Sequence, residues 1–340
     1  MNTKKTRDSN IELLRMLAMF YVLLVHADFY SLGVPSLEDI QTKTFDSTLR
    51  IFFESLGIVC VNVFVLISGW FGIRPSMKGV SNFIFQVLFF NIGIFVFTLI
   101  IGTSTFSFKG IAECFVATKV DWFIKAYLFL YILSPILNAF VDHVDKITFR
   151  NVLIAFFAFS CTYGWLGGAK FFIDGYTPLL FIGLYLLARY MRIYKPKFAT
   201  FQGMTDLSIY AFVSCCVTLL CVAPSLLIGR SFQPYWVYVA PTTIIASVYL
   251  LLFFTKLDLK NKFVNWCGAS SFAVFLLHFN PNIIVHFKKT FAYLYLHLGT
   301  WEYWGITFIL LILIFAISIL IDQLRIFCWK RVEKNILKWF

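Results

Sequence analysis

Arg15 and His26 lie inside the first apolar segment of the chain, Ile11 to Tyr30. A basic side chain at mid-membrane costs roughly 2.5 to 3.5 kcal/mol on insertion scales, so an intramembrane ionisable residue is a functional-site hypothesis by default. Eleven residues at about 100° each come to roughly 20° past three full turns, with an axial offset of roughly 16.5 Å. Both side chains therefore share one helix face, and Glu12, one turn before Arg15, falls on the same stripe. The chemistry such a line can do is divided. An imidazole takes a proton near neutral pH, a guanidinium grips phosphate or carboxylate as a planar fork, and Glu12 can hold that fork in place. Two bland alternatives stand beside this reading: a satisfied packing histidine, and an arginine snorkelling to the headgroups.

Three further stretches carry polar groups. In VFVLISGWFGIRPSMK, residues 63–78, a span ends at Ser68, Gly69 and Trp70 and delivers Arg74 and Lys78 to one side. Small residues there permit close helix approach, and a helix starting near Pro75 would offer free N–H groups beside two cations, a phosphate site. In DWFIKAYLFLYILSPILN, residues 121–138, Trp122 and Tyr127 read as interface anchors or site lining, and Asp121 and Lys125 are spaced to pair. In ASSFAVFLLHFNP, residues 269–281, His278 is a second intramembrane imidazole, open between packing and site lining. No G-x-S-x-G elbow, Walker-type loop, H-E-x-x-H or C-x-x-C pattern occurs. No metal is expected, since His143 and His297 fall in loops on opposite sides. The eight cysteines, mostly in apolar runs, read as inert buried thiols.

These residues need an all-α, polytopic membrane scaffold to position them. The 340 residues are 60% apolar and only 14% charged, with 42 Phe, against about 45–50% and 25% in soluble domains. A span takes about 20 apolar residues, which predicts about ten: 11–30, 50–70, 80–102, 122–140, 148–165, 174–193, 205–228, 236–254, 268–287 and 304–326. Connections are short, so residues 1–340 read as one membrane domain without internal repeats. The first segment lacks a small-x-small cleavage site and is expected to stay as a span. With a cytoplasmic N-terminus, 19 of the 29 basic residues fall inside and nine outside, Arg15 apart. Both termini are thus expected in the cytoplasm. The net charge of +12 becomes positive-inside bias and contact with anionic lipid, not a nucleic-acid surface.

Taken in order, these motifs resemble the membrane-bound acyltransferase 3 family of O-acetyltransferase type. NIELLRMLAMFYVLLVHADF is similar to its Arg, ten residues, His motif; VNVFVLISGWF, WFIKAYLFLYILSPIL and SSFAVFLLH resemble its other elements, and the match spans nearly the whole chain. The resemblance implies a multi-pass bacterial inner-membrane enzyme moving an acyl group, commonly acetyl, from acyl-CoA to a hydroxyl of a cell-surface glycan or lipid-linked precursor. Acyl-CoA is a co-substrate and no bound cofactor is expected. His26 would be catalytic, with Glu12, Arg15, Ser68, Arg74, Lys78, Trp122 and His278 binding donor or acceptor. The family often has two arginines three apart after the Ser-Gly turn, whereas Arg74 and Lys78 are four apart. Its C-terminal hydrolase-like extension is not expected here. From another functional class, a transporter or flippase for glycan or lipid intermediates would also need buried charge. Against it stand the missing internal repeats and paired broken spans.

Overall fold

The computed structural model describes residues 8–115, 122–230 and 235–336; the Asp121 end of the expected Asp121–Lys125 pair lies outside them. Helix accounts for 82% of the structure, with no strand among the described residues. In chain order the α-helices are α1 (Ser9–Ala27), α2 (Phe29–Leu32), α3 (Leu37–Thr42), α4 (Thr44–Gly57), α5 (Cys60–Phe71), α6 (Met77–Ile100), α7 (Phe108–Phe115) and α8 (Trp122–His143). There follow α9 (Lys146–Phe159), α10 (Pro178–Tyr194), α11 (Gly203–Leu227), α12 (Pro241–Thr255), α13 (Lys262–Ala269), α14 (Ser271–His278), α15 (Pro281–His297) and α16 (Thr300–Ile336).

Among the described residues, seven helical stretches are long and apolar enough to cross a membrane: Ser9–Leu32, Thr44–Phe71, Met77–Ile100, Trp122–His143, Lys146–Leu166, Gly203–Leu227 and Thr300–Glu333. The other three expected spans are helical but differ. α10 and α12 have only 17 and 15 residues, below the roughly 20 a span takes. Both are largely buried among other helices: Leu184, Tyr185 and Ala188 of α10 and Leu251 of α12 have no exposed surface. The segment expected as one span over 268–287 is broken, with an 85° bend between α14 and α15. Pro281 cannot supply the N–H that would continue α14, and Asn280 caps the new helix by accepting from the Asn282 N–H at 3.0 Å. A smaller break is repaired in α8, where Pro135 frees the Tyr131 carbonyl and the Ser134 hydroxyl donates to it at 2.7 Å.

α1 is the hub. It packs against α2, α4, α5, α12, α13, α14, α15 and α16, and its N-terminus is pinned by Asn10 donating to the Phe254 carbonyl at 2.9 Å. The α5–α10 crossing is closest at Gly69, where an added Cβ would lie 2.4 Å from the Tyr185 carbonyl oxygen. The Ser-Gly pair read as a close-approach point is therefore a backbone contact.

Two of the cations counted above lie buried within helices, and a third, just past the end of α12, is paired with a buried acid. Arg50 is 3% exposed within the second span, its Nε 2.6 Å from Asp28 Oδ1. Arg325 is buried on α16, clasping both oxygens of Asp322 at 2.8 Å. Lys256 is paired with the fully buried Asp206. The loop assignment placed spans by apolarity alone, and a charge neutralised inside the bundle looks the same in sequence as a charge at a span's edge.

Gly69→Val forces α5 off α10 and is expected to abolish a monodisperse folded peak in detergent. Gly93→Ala, with nothing within 4 Å of the new Cβ, should leave thermal stability unchanged or raised, since alanine is the better helix former by about 1 kcal/mol. Equal behaviour of the two variants would refute the close crossing.

Candidate active site

The α1 stripe forms as its spacing requires. Arg15 Nη1 lies 2.5 Å from Glu12 Oε1, with Glu12 only 3% exposed and Arg15 33%. Glu12 is buried because α13 comes against α1 at a glycine: a Cβ on Gly268 would sit 2.6 Å from both the Cβ and Oε2 of Glu12. The acid can thus hold the arginine from behind while the guanidinium keeps its remaining donors toward open space.

That space is a cavity of about 320 Å³, within the range of small-molecule sites. Arg15 and His26 both line it, together with Ser68, Gln86, Trp122 and Tyr127. Phe272, Phe275 and Phe279 supply an aromatic wall. The Ser68 hydroxyl donates to the Phe64 carbonyl at 3.0 Å, so in its 3.1 Å contact with Tyr127 the phenol is the donor. Trp122 and Tyr127 therefore line the site instead of serving only as interface anchors.

His278 stands directly behind His26. His278 Nδ1 is 2.6 Å from the Val274 carbonyl oxygen. A carbonyl only accepts, so this nitrogen carries the proton, and in a neutral ring Nε2 is then an acceptor. His26 Nδ1 lies 2.9 Å from His278 Nε2 and must be the donor. The consequence is at the other end of the ring: His26 Nε2 is left with its lone pair. A backbone carbonyl thus sets the tautomer of one histidine, which sets that of the next. Phe279 fixes the plane of the His26 ring, stacking at 4.5 Å between centroids.

The remaining expected residues lie elsewhere. Arg74 is exposed and does not line the cavity. Lys78 is also exposed and forms an ion pair with Glu333 of α16. Two of the N–H groups near Pro75 are occupied, as Ser76 caps α6 through the Gly79 N–H and the Ser76 N–H donates to Tyr131. A cation not singled out from sequence, Arg189, packs at the same turn. A Cβ on Gly72 would lie 3.1 Å from its Nη1, and its Nε is buried without a partner.

Gln86 was also overlooked. It lines the cavity and donates to Asp322 at 3.4 Å, linking the site to the Asp322–Arg325 pair, and Arg325 reaches Asn82 at 3.3 Å. The available signal was a polar residue inside the apolar run 80–102 facing an acid inside 304–326.

Comparison with known proteins identifies the family. The acyltransferase domain family model matches residues 8–323, nearly the whole chain, and the chain belongs to that family. No curated protein and no solved structure matches it.

In protein labelled with ¹⁵N-histidine, the His26 and His278 rings should both report the Nδ1–H tautomer at neutral pH. An Nε2–H signal for His278 would overturn the relay.

Proposed function

On the premise of that family membership, we propose that this multi-pass membrane acyltransferase moves an acetyl group from acetyl-CoA to a hydroxyl of a cell-surface glycan or its lipid-linked precursor. In this reading it works in the bacterial inner membrane, with ten membrane segments and both termini cytoplasmic. The observation that carries the proposal is the cavity with Arg15 at one end and the unprotonated Nε2 of His26, backed by His278, at the other.

The donor's phosphates dock on Arg15 and the cations of the turn after α5, and its narrow pantetheine arm runs along the α1 stripe. Arg74 and Arg189 serve there more readily than Lys78, which would first have to leave Glu333. Arg15 and His26 are separated by roughly 16.5 Å along α1, so charged recognition and chemistry occur at different depths.

At the inner end, His26 Nε2 takes the proton of the acceptor hydroxyl as its oxygen attacks the thioester carbonyl carbon. The C–S bond breaks as the new C–O bond is completed, and the His26 imidazolium returns the proton to the departing thiolate. His278 acts by position: its Nε2 accepts from His26 Nδ1–H throughout, stabilising the imidazolium as it forms. The developing oxyanion needs a donor, and the Trp122 indole N–H is one lining group that can supply it. The 85° helix break is one feature in common with transporters; membership of an acyltransferase family favours group transfer over relocation.

In membranes supplied with labelled acetyl-CoA and surface glycan, His26→Ala should still insert but lose transfer by about 10²- to 10⁴-fold, the usual contribution of a general base. Near wild-type transfer in that variant would sink the assignment. His278→Phe should lower kcat with little change in donor KM, whereas Arg15→Ala should mainly raise donor KM. Unchanged donor affinity in Arg15→Ala would return that residue to a lipid-facing role.

A further inference from the structure

A second cavity, of about 410 Å³, lies on the other side of the helix break. Its lining is chemically unlike that of the first. Asn91, Ser104, Thr105, Glu113, Asn280 and Asn282 offer amides, hydroxyls and one carboxylate, Phe95 offers a ring, and among the described residues no lysine or arginine lines it. Asn280 is 8% exposed and its amide reaches Asn91 Oδ1 at 3.4 Å.

The linings of the two cavities are adjacent in the chain. Phe279 lines the first and Asn280 the second. Phe279 stacks on the His26 ring, and His278 precedes it in the chain. α6 runs past both, presenting Phe83 and Gln86 to the first cavity and Asn91 and Phe95 to the second. The five residues from Gln86 to Asn91 rise only about 7.5 Å. The polar cavity is therefore next to the imidazole pair, at the end of the first cavity away from Arg15.

Its chemistry selects among ligands. A phosphate or the donor nucleotide calls for cations, whereas the described lining is made mainly of amides and hydroxyls. A lipid chain calls for mostly apolar walls, whereas polar side chains outnumber Phe95, Cys114 and Pro281 here. Amide and hydroxyl groups that both donate and accept suit a dense array of hydroxyls, and Phe95 suits the C–H face of a sugar ring.

We propose that this second cavity is the acceptor subsite, which binds a neutral sugar ring and presents one of its hydroxyls past Phe279 to His26 Nε2. The inference rests on the acyl-transfer reading given above and adds the place where the acceptor binds. Donor and acceptor thus reach the imidazole from two cavities of different character, one aromatic with a cation at its end and one lined by hydrogen-bonding groups.

The test is binding, so it does not depend on turnover. Saturation-transfer NMR on the full chain in nanodiscs, with methyl glycosides of glucose, galactose, rhamnose and N-acetylglucosamine as probes, should detect at least one. Ser104→Trp and Asn282→Trp each fill the cavity without touching His26 or Arg15. Both should weaken the bound glycoside by about tenfold or more, as expected when buried hydrogen bonds are lost, with labelled acetyl-CoA binding unchanged. Glycoside binding retained in both variants, or no glycoside bound by the wild type, overturns the proposal. A protein that binds glycoside here yet transfers no acetyl group would remove the transferase reading and leave the sugar site standing.

Discussion

The hydrogen bond from His26 to His278 joins residues 252 apart in sequence, and the rest of the fold has to satisfy it. It needs α14 to end beside the end of α1, with both rings in defined planes. Each condition has an identifiable source. Gly268 lets α13 come against α1 at Glu12. Pro281 ends the path of α14 so that the chain turns away directly after His278 and Phe279. The Val274 carbonyl, one helical turn earlier, selects the His278 tautomer. Irregular backbone at this depth is tolerated where it lines a cavity, and here it lines two.

A second constraint acts through buried charge. Asp28 lies two residues beyond His26, and its partner Arg50 also donates to the Gly33 carbonyl at 2.5 Å. Asp46 accepts from Tyr295 at 2.6 Å, and the Arg50 guanidinium sits 5.0 Å over that tyrosine's ring. This network ties α4, α15 and the end of α1 together at the His26 end of the bundle. Removing one member of such a pair typically costs about 3–5 kcal/mol, because an uncompensated charge remains in a low-dielectric interior. At the Arg15 end, the Asp322–Arg325 pair with Gln86 and Asn82 fastens α16 to α6 in the same way. The cavity is thus held at both ends by polar contacts and along its length by aromatic packing, as the proposed division of work between its two ends requires.

What could be read from the sequence was what depends on one helix. The common face of Glu12, Arg15 and His26 follows from 3.6 residues per turn alone, and the structure places these residues on one stripe beside one cavity. The pairing of His26 with His278, the backing of Glu12 by Gly268 and the partnership of Gln86 with Asp322 depend on which helices meet, and no local period encodes that. The topology suffered for a related reason. Apolarity locates a span, but it does not show whether a helix as short as α10 or α12 is surrounded by protein, nor whether Arg50 is at a membrane edge or neutralised within. The Asn280–Pro281 pair did carry a signal: proline disfavours helix in the residue before it and cannot continue the ladder. Apolarity across 268–287 outweighed it.

The helix break also bears on why a transferase would use two adjoining cavities. An activated acyl group next to an imidazole base will react with water if water reaches it, so closure around the base matters as much as its basicity. A single wide channel past His26 would admit acceptor and solvent together. Here the aromatic wall of the first cavity ends at Phe279, stacked on the His26 ring, and the hydrogen-bonding groups begin at Asn280. On the proposed reading, a sugar ring that satisfies those groups fills the approach to His26 with the correct nucleophile and displaces water from it. The Phe279–Asn280 step would then set selectivity for the acceptor, while the paired histidines behind it supply the same proton chemistry to whichever hydroxyl arrives.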